Sequence, residues 1–257
     1  GEGPGDFNGI ANLTTRPREP NAVWGYDSQL RRLTRLASDS IVIKPVTLTT
    51  PGSMMALSMY WLTRDKLLAI GDADSNRLVI ADTAGHVLRM ATGELLGGDS
   101  VSFASRRAIS TGFLVCIQPA TRRIAMLFVG AGRIDIYDST ARLQAHADVP
   151  FPSNGEFDRD QSGRWHARYT WRYYADCSAS PTRLYALFAG NRTDGPGGGR
   201  SIDARFVHVF DWSGRRIVVI ELDHAISTMV TSGDTVLYGM GADVPGLFRF
   251  RLPAPTP

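Results

Sequence analysis

Residues 67–88 read LLAIGDADSNRLVIADTAGHVL: three short apolar runs separated by two polar turns. The first run, 67–71, ends at Asp72 and yields to a polar turn over 72–76. The second, 77–81, closes on Asp82, and 83–85 turn the chain into a third run, 86–90. Runs of about five β-prone residues bounded by Asp, Asn, Ser and Gly specify hairpins rather than helices, because those residues accept the tight backbone of a turn.

Working outward, the same strand–turn–strand phrase recurs at 22–36 (AVWGYDSQLRRLTRL), 67–82, 124–138 (IAMLFVGAGRIDIYD), 184–211 and 236–252 (VLYGMGADVPGLFRFRL). The first apolar residue of the second strand is Leu33, Leu78, Ile134, Val207 and Phe248 in turn, at intervals of 45, 56, 73 and 41 residues. A four-stranded propeller blade takes roughly 40–50 residues, so the two longer intervals carry insertions. Flanking runs supply the remaining strands: 56–62 and 86–90 around the second phrase, 112–117 and 142–146 around the third, 171–177 and 215–222 around the fourth. The fifth is preceded by 225–231 and followed only by PAPTP. No window carries capped helical periodicity, and a β-sandwich does not explain one phrase repeated with Asp-Gly turns.

The expected fold is therefore all-β, a β-propeller of four-stranded antiparallel blades, six-bladed with five repeats visible. It is read as a single domain over 1–257, with repeats at about 1–50, 51–100, 101–150, 171–223 and 224–253 and an insertion at 150–170. A propeller hides its last sheet edge when the final blade borrows a strand from the other end of the chain. Here that strand is expected from the N-terminal region or from residues upstream of Gly1.

Composition narrows the function classes. The chain has 257 residues, 43% apolar, with formal net charge +3, a mean hydropathy of -0.12 and pI ≈ 9.0. Of the 28 basic residues only Lys44 and Lys66 are lysine. The arginines are scattered rather than clustered, which argues against nucleic acid as a partner. No run of eighteen apolar residues marks a helical membrane span. The opening GEGPGDFNG lacks the parts of a signal peptide and reads as a mature or trimmed start, or a piece of a longer chain; a lipid anchor upstream is compatible with it. Cys116 and Cys177 permit one disulfide and settle no compartment. They end two first strands at similar positions and read as small apolar packing, a bridge requiring Cα atoms within about 7 Å.

Catalytic signals are sparse. Asp158, Asp160 and Ser162 followed by Gly163 resemble the start of a calcium loop, but Tyr169 stands where a bidentate Glu is needed; a solvated acidic turn is the better reading. Asp72, Asp74 and Asn76 share the spacing, with Arg77 in place of the glycine. The histidines, 86, 146, 166, 208 and 224, form no close pair for zinc. There is no nucleophile elbow, and Gly195–Gly199 lacks the Lys-Ser/Thr of a phosphate loop. No cofactor and no metal ligand set is assigned. The most suggestive stretch is PFPSNGEFDRDQSGRWHARYTWRYY, 150–174. Its Arg164, Trp165, His166, Arg168, Tyr169, Trp171, Arg172 and Tyr173, with Arg106 and Arg107, form the candidate binding rim, since aromatic and arginine side chains dominate recognition hot spots. The competing reading makes Trp171 and Tyr173 packed residues of a blade's first strand.

The opening Gly1-Glu2-Gly3-Pro4-Gly5-Asp6-Phe7 resembles the GxGPGEF phrase of bacterial six-bladed propellers of the NHL-like and TolB-like group. Asp72-Ala73-Asp74-Ser75-Asn76-Arg77-Leu78 is similar to an NHL-type hairpin. Leu184–Gly190 with Val207–Gly214 is similar to the penultimate TolB-like blade. The resemblance spans most of the chain, except that its opening phrase here follows no earlier blade. It implies an exported bacterial protein in the periplasm or outside the cell. The combined reading is a non-enzymatic binding or scaffold module that takes a protein or small-molecule ligand at a channel-mouth face. The alternative is a metal-dependent hydrolase or lyase of lactonase or NHL-lyase type, with its site at the central channel. A third is a blade array serving a larger chain.

Overall fold

The computed structural model describes residues 6–19, 21–36, 41–46, 48, 55–73, 76–92, 96, 101, 106, 112–151, 153, 156–168, 171–192, 204–241 and 245–253. Their contacts divide the chain into two compact units, residues 1–94 with 139–142, and residues 95–138 with 143–257.

The first unit holds two blades. One contains β1 (Ile10–Thr14), β2 (Val23–Asp27), β3 (Arg32–Leu36) and β4 (Ile41–Pro45); the next contains β5 (Met55–Trp61), β6 (Lys66–Ala73), β7 (Asn76–Asp82) and β8 (Val87–Thr92). The second unit begins with β9 (Phe113–Ile117), β10 (Ile124–Phe128), β11 (Ile134–Tyr137) and β12 (Leu143–His146). A two-stranded hairpin follows, β13 (Glu156–Arg159) with β14 (Trp165–Arg168). The fourth blade is β15 (Trp171–Ala179), β16 (Arg183–Arg192), β17 (Ala204–Asp211) and β18 (Arg216–Ile226). The last sheet, β19 (Thr228–Ser232), β20 (Val236–Met240) and β21 (Leu247–Arg251), has three strands. Each sheet pairs antiparallel in chain order, the meander of a propeller blade. The chain is an all-β propeller with five blades among its described residues.

The opening stretch folds as read: β6, β7 and β8 are its three runs. The first turn is tighter than expected, because Ala73 pairs with Asn76 and so 72, 73 and 76 belong to strands. A second difference lies at 225–231, which is not one strand. The break falls at Ser227, whose backbone N–H and hydroxyl both donate to the Met240 carbonyl, at 2.7 and 3.0 Å, so β18 ends before it and β19 begins after it. In the N-terminal stretch, Ile10–Thr14 provides β1, the first strand of its own blade, paired with β2.

Core residues sit between blades. Trp24, Tyr26, Leu33, Met59, Trp61 and Leu67 form one cluster in the first unit. In the second unit Ala125, Leu127, Ile134 and Ile136 pack with Tyr174, Leu184, Ala186 and Phe210. The other face of the fourth blade puts Tyr185, Leu187, Val207 and Val209 against Ile226, Met229 and Leu237.

First strands are also tied directly to one another. The Asn12 amide donates to Met59 O at 2.8 Å and its Oδ1 accepts Met59 N–H at 3.0 Å. Two residues on, Thr14 Oγ1 accepts Trp61 N–H at 3.1 Å. Between β9 and β15 the tie is covalent: Cys116 and Cys177 are joined, with Cα atoms 6.1 Å apart. The sequence left this pairing open; the two cysteines are bridged and also belong to the surrounding core cluster. A disulfide at this depth fits an extracellular protein, since reducing compartments rarely retain one.

Candidate functional site

The 150–170 insertion is anchored before it becomes a hairpin. Ser153 N–H donates to Gly132 O at 3.2 Å, and a Cβ on Gly132 would lie 1.8 Å from Phe151 O, so only glycine allows the connector this close. Phe151, 60% exposed, stacks on Phe188 at 5.6 Å. At the far end Tyr173 N–H donates to Val129 O at 2.8 Å.

Between these anchors β13 and β14 pair with each other, Glu156 opposite Arg168, Asp158 opposite His166 and Arg159 opposite Trp165. Opposed side chains in an antiparallel ladder share a face. One face is therefore ionic: Arg168 reaches Asp158 at 3.2 Å across the ladder. The other is aromatic and cationic, with the Arg159 guanidinium 4.6 Å from the centre of the Trp165 ring.

The turn is built on Asp160. Its Oδ1 accepts the N–H and hydroxyl of Ser162 at 2.8 and 2.7 Å and the N–H of Arg164 at 2.9 Å; Oδ2 faces His166 Nε2 at 2.8 Å. The Ser162 hydroxyl, then His166 and the backbone, hold this carboxyl well below the usual carboxylate value. Asp82-Thr-Ala-Gly85-His86 and Asp211-Trp-Ser-Gly214-Arg215 are built alike, the glycine at positive φ in all three turns. Asp160, the second carboxylate of the calcium-loop reading, is thus used to close a turn, and Asp158, the first, pairs with Arg168.

The histidines are accounted for individually. His86, His146 and His166 each lie 2.8–2.9 Å from an aspartate of their own hairpin, Asp82, Asp135 and Asp160. His224 stacks on Phe248 at 4.7 Å and His208 on Phe188 at 4.5 Å. Burial, then the neighbouring Arg216 charge, pushes His208 down to about 4. Among the described residues no three His, Cys, Asp or Glu side chains gather as a metal site.

The candidate rim is thus split. Arg164, Trp165, His166 and Arg168 stand together on the hairpin, with Arg164, His166 and Arg168 exposed. Trp171, Arg172 and Tyr173 open β15 and are half-buried; Trp171 lies 6.4 Å from Tyr173 and 5.8 Å from the Arg192 guanidinium. Arg106 is half-buried ahead of β9. Arg107 and Tyr169 lie outside the described residues. Phe151, Phe157 and Arg159 were missed; Asp160 and Gly163 set the turn, and pairing back from it would have placed Arg159 against Trp165.

No protein-family model matches the chain. No curated protein matches it either. Among solved structures it is similar to a chain in the crystal structure of a nidogen/laminin complex, with a TM-score of 0.51 and 11% identity over 95% of this chain and 76% of that one. At that identity the likeness concerns the propeller fold. Among the described residues no helix is long and apolar enough to cross a membrane.

Proposed function

We propose that this chain is a non-enzymatic extracellular propeller that binds a protein ligand through the β13–β14 hairpin and the start of β15. The observation that carries the reading is the Arg159–Trp165 pair on a hairpin that, among the described residues, pairs with no blade sheet. A cation over an indole is a preformed contact with little rotamer freedom left to lose on binding, and Arg164, His166 and Arg168 beside it are exposed. Two further findings support the reading: the disulfide suits an oxidising setting, and the similar solved structure is a protein–protein complex. The TolB-like and NHL-like resemblance of the sequence supports a bacterial protein of the periplasm or the cell exterior.

The test compares the wild-type chain with a triple variant, Arg159→Ser, Arg164→Ser and Trp165→Ser, as immobilised baits against secreted and cell-envelope proteins. Each captured protein is then purified and titrated against both. Loss of a central anchor lowers affinity by about tenfold or more, so the variant should lose its ligand while its thermal unfolding is unchanged. Equal affinity for both baits sinks the assignment.

A further inference from the structure

Buried polar atoms in proteins nearly always have a hydrogen-bond partner. One face of the fourth blade gathers three polar side chains that have none among the described residues. His208 is 3% exposed, and its Nδ1 is buried without a partner. Tyr174 is buried as deeply, and its hydroxyl makes no hydrogen bond. Arg216 is half-buried and makes neither an ion pair nor a hydrogen bond. The ladders put all three on one face, because opposed residues share a side: Tyr174 opposes Phe188, Phe188 opposes Phe206, His208 opposes Val219, and Phe210 opposes Arg216. Ring contacts agree, with His208 4.5 Å from Phe188, 6.0 Å from Tyr174 and 6.4 Å from Phe210.

Arg216 reaches this face through a bulge. Val209 opposes Val218, but the next residue of β17, Phe210, opposes Arg216, so Ile217 is an extra residue in β18. Val218 packs into the core on the other face. Plain alternation would leave Arg216 there too; the bulge turns it to the His208 side, the re-aiming that bulges next to sites perform. Its charge is felt at both Tyr174 and His208. The outer part of the face is apolar and open: Phe206 is 42% and Val219 44% exposed, and Phe151 stacks on Phe188 from the connector.

We propose that this face binds a small monocarboxylate with an apolar tail. The Arg216 guanidinium takes the carboxylate through its fork of N–H donors. The Tyr174 hydroxyl and the Nδ1–H tautomer of His208 donate to the same group, and the tail lies along Phe206 and Val219. A cation is repelled by Arg216, and a neutral molecule leaves that charge unpaired. A dianion exceeds the single charge on offer and meets Glu221, which opposes Phe206 on this face and forms no ion pair among the described residues.

The test is calorimetric titration of the full chain with phenylacetate and with octanoate. At least one of the two acids should bind at one site per chain, and the tighter of them tells whether the tail is aromatic or aliphatic. Phenylacetamide, which lacks the charge, and acetate, which lacks the tail, should each bind about tenfold more weakly or worse. Arg216→Gln should cost the acid about tenfold or more. Val219→Glu, an exposed change opposite His208, should weaken binding with an unchanged unfolding temperature, which separates loss of the site from loss of the fold. His208→Phe keeps the ring stack and removes the orphaned nitrogen, so it should lower affinity without lowering the unfolding temperature. The proposal is overturned if neither acid binds at millimolar concentration, or if the amide binds as tightly as the acid. It is equally overturned if Arg216→Gln and Val219→Glu leave the affinity unchanged.

Discussion

Asn12 and Asp176 hold the same place at two blade junctions, one in each unit, and they do the work differently. Both reach from the first strand of one blade to the backbone of a methionine on the first strand of the next. In both, the residue two further on accepts a second backbone N–H: Thr14 from Trp61 at 3.1 Å, Ser178 from Thr231 at 2.9 Å. The Asn12 amide both donates and accepts, so it matches the peptide group of Met59 on its own. A carboxylate can only accept. Asp176 therefore needs donors gathered around it: Met229 N–H at 2.7 Å, the Thr228 hydroxyl at 2.6 Å and Cys177 N–H at 2.8 Å. The difference teaches that an identical strand-to-strand tie is neutral and self-sufficient in one unit, and charged and dependent on its surroundings in the other.

The largest effect is expected where the second unit adds a covalent tie beside its charged one. Cys116 and Cys177 close a loop of 61 residues in sequence, and Cys177 N–H is itself a donor to Asp176. Replacing both cysteines by serine should cost about 2–4 kcal/mol, chiefly through the freed unfolded chain. For a chain of this size that is a fall in melting temperature of about 5–15 °C, read by calorimetry with and without reductant. A wild-type protein indifferent to reductant under unfolding conditions would show that the junction holds by packing alone.

Next come the two tie residues. Asp176→Ala strands three donors at a half-buried site and should destabilise by about 1–3 kcal/mol. Asn12→Asp converts the self-sufficient tie into a carboxylate without its supporting donors, facing the Met59 carbonyl. We expect a loss of about 1–2 kcal/mol at neutral pH, recovered on acidification, when the protonated acid can again donate. Denaturant titrations at two pH values measure both. If Asn12→Asp were silent at neutral pH, the donors around Asp176 would not be what makes a charge tolerable there.

How much of this was legible in sequence follows from range. The strands of 67–90 show themselves because apolar runs and Asp-Gly turns are local, and the Asp-x-x-Gly turns at 82, 160 and 211 report their own geometry. The hairpin was visible as an insertion rich in arginine and aromatic residues. Its ladder was not, because Glu156–Arg159 is mostly charged and reads as loop. The hydrogen-bonded junctions were invisible, and the cysteine pair, at similar positions on two first strands, was left open. Met59 lies 47 residues from Asn12, Met229 lies 53 from Asp176 and Cys177 lies 61 from Cys116, and no periodicity along one strand names a partner on the next blade.

The smallest expected effect is the most discriminating. Asp176→Asn is nearly isosteric and makes the second junction chemically like the first. Burial holds the Asp176 carboxyl above its ordinary value, against the pull of Thr228 and the two backbone donors. Between the ordinary value and the raised one the folded state binds this proton more tightly than the unfolded state, so its contribution to stability is full at low pH and is lost as pH rises through the raised value. The asparagine variant has no such step. Its deficit against wild type should be greatest in acid and should shrink towards neutral pH, to within about 1 kcal/mol, because removing the cost of a half-buried charge offsets the lost acceptor. His208 works in the opposite sense: its lowered value makes stability fall as pH drops from its ordinary value towards about 4. The measurement is therefore the difference between the two proteins at each pH, in which His208 cancels. A deficit that instead grew from acid to neutral would mean that the Asp176 carboxyl is held below its ordinary value in the folded state, and that its gathered donors outweigh its burial.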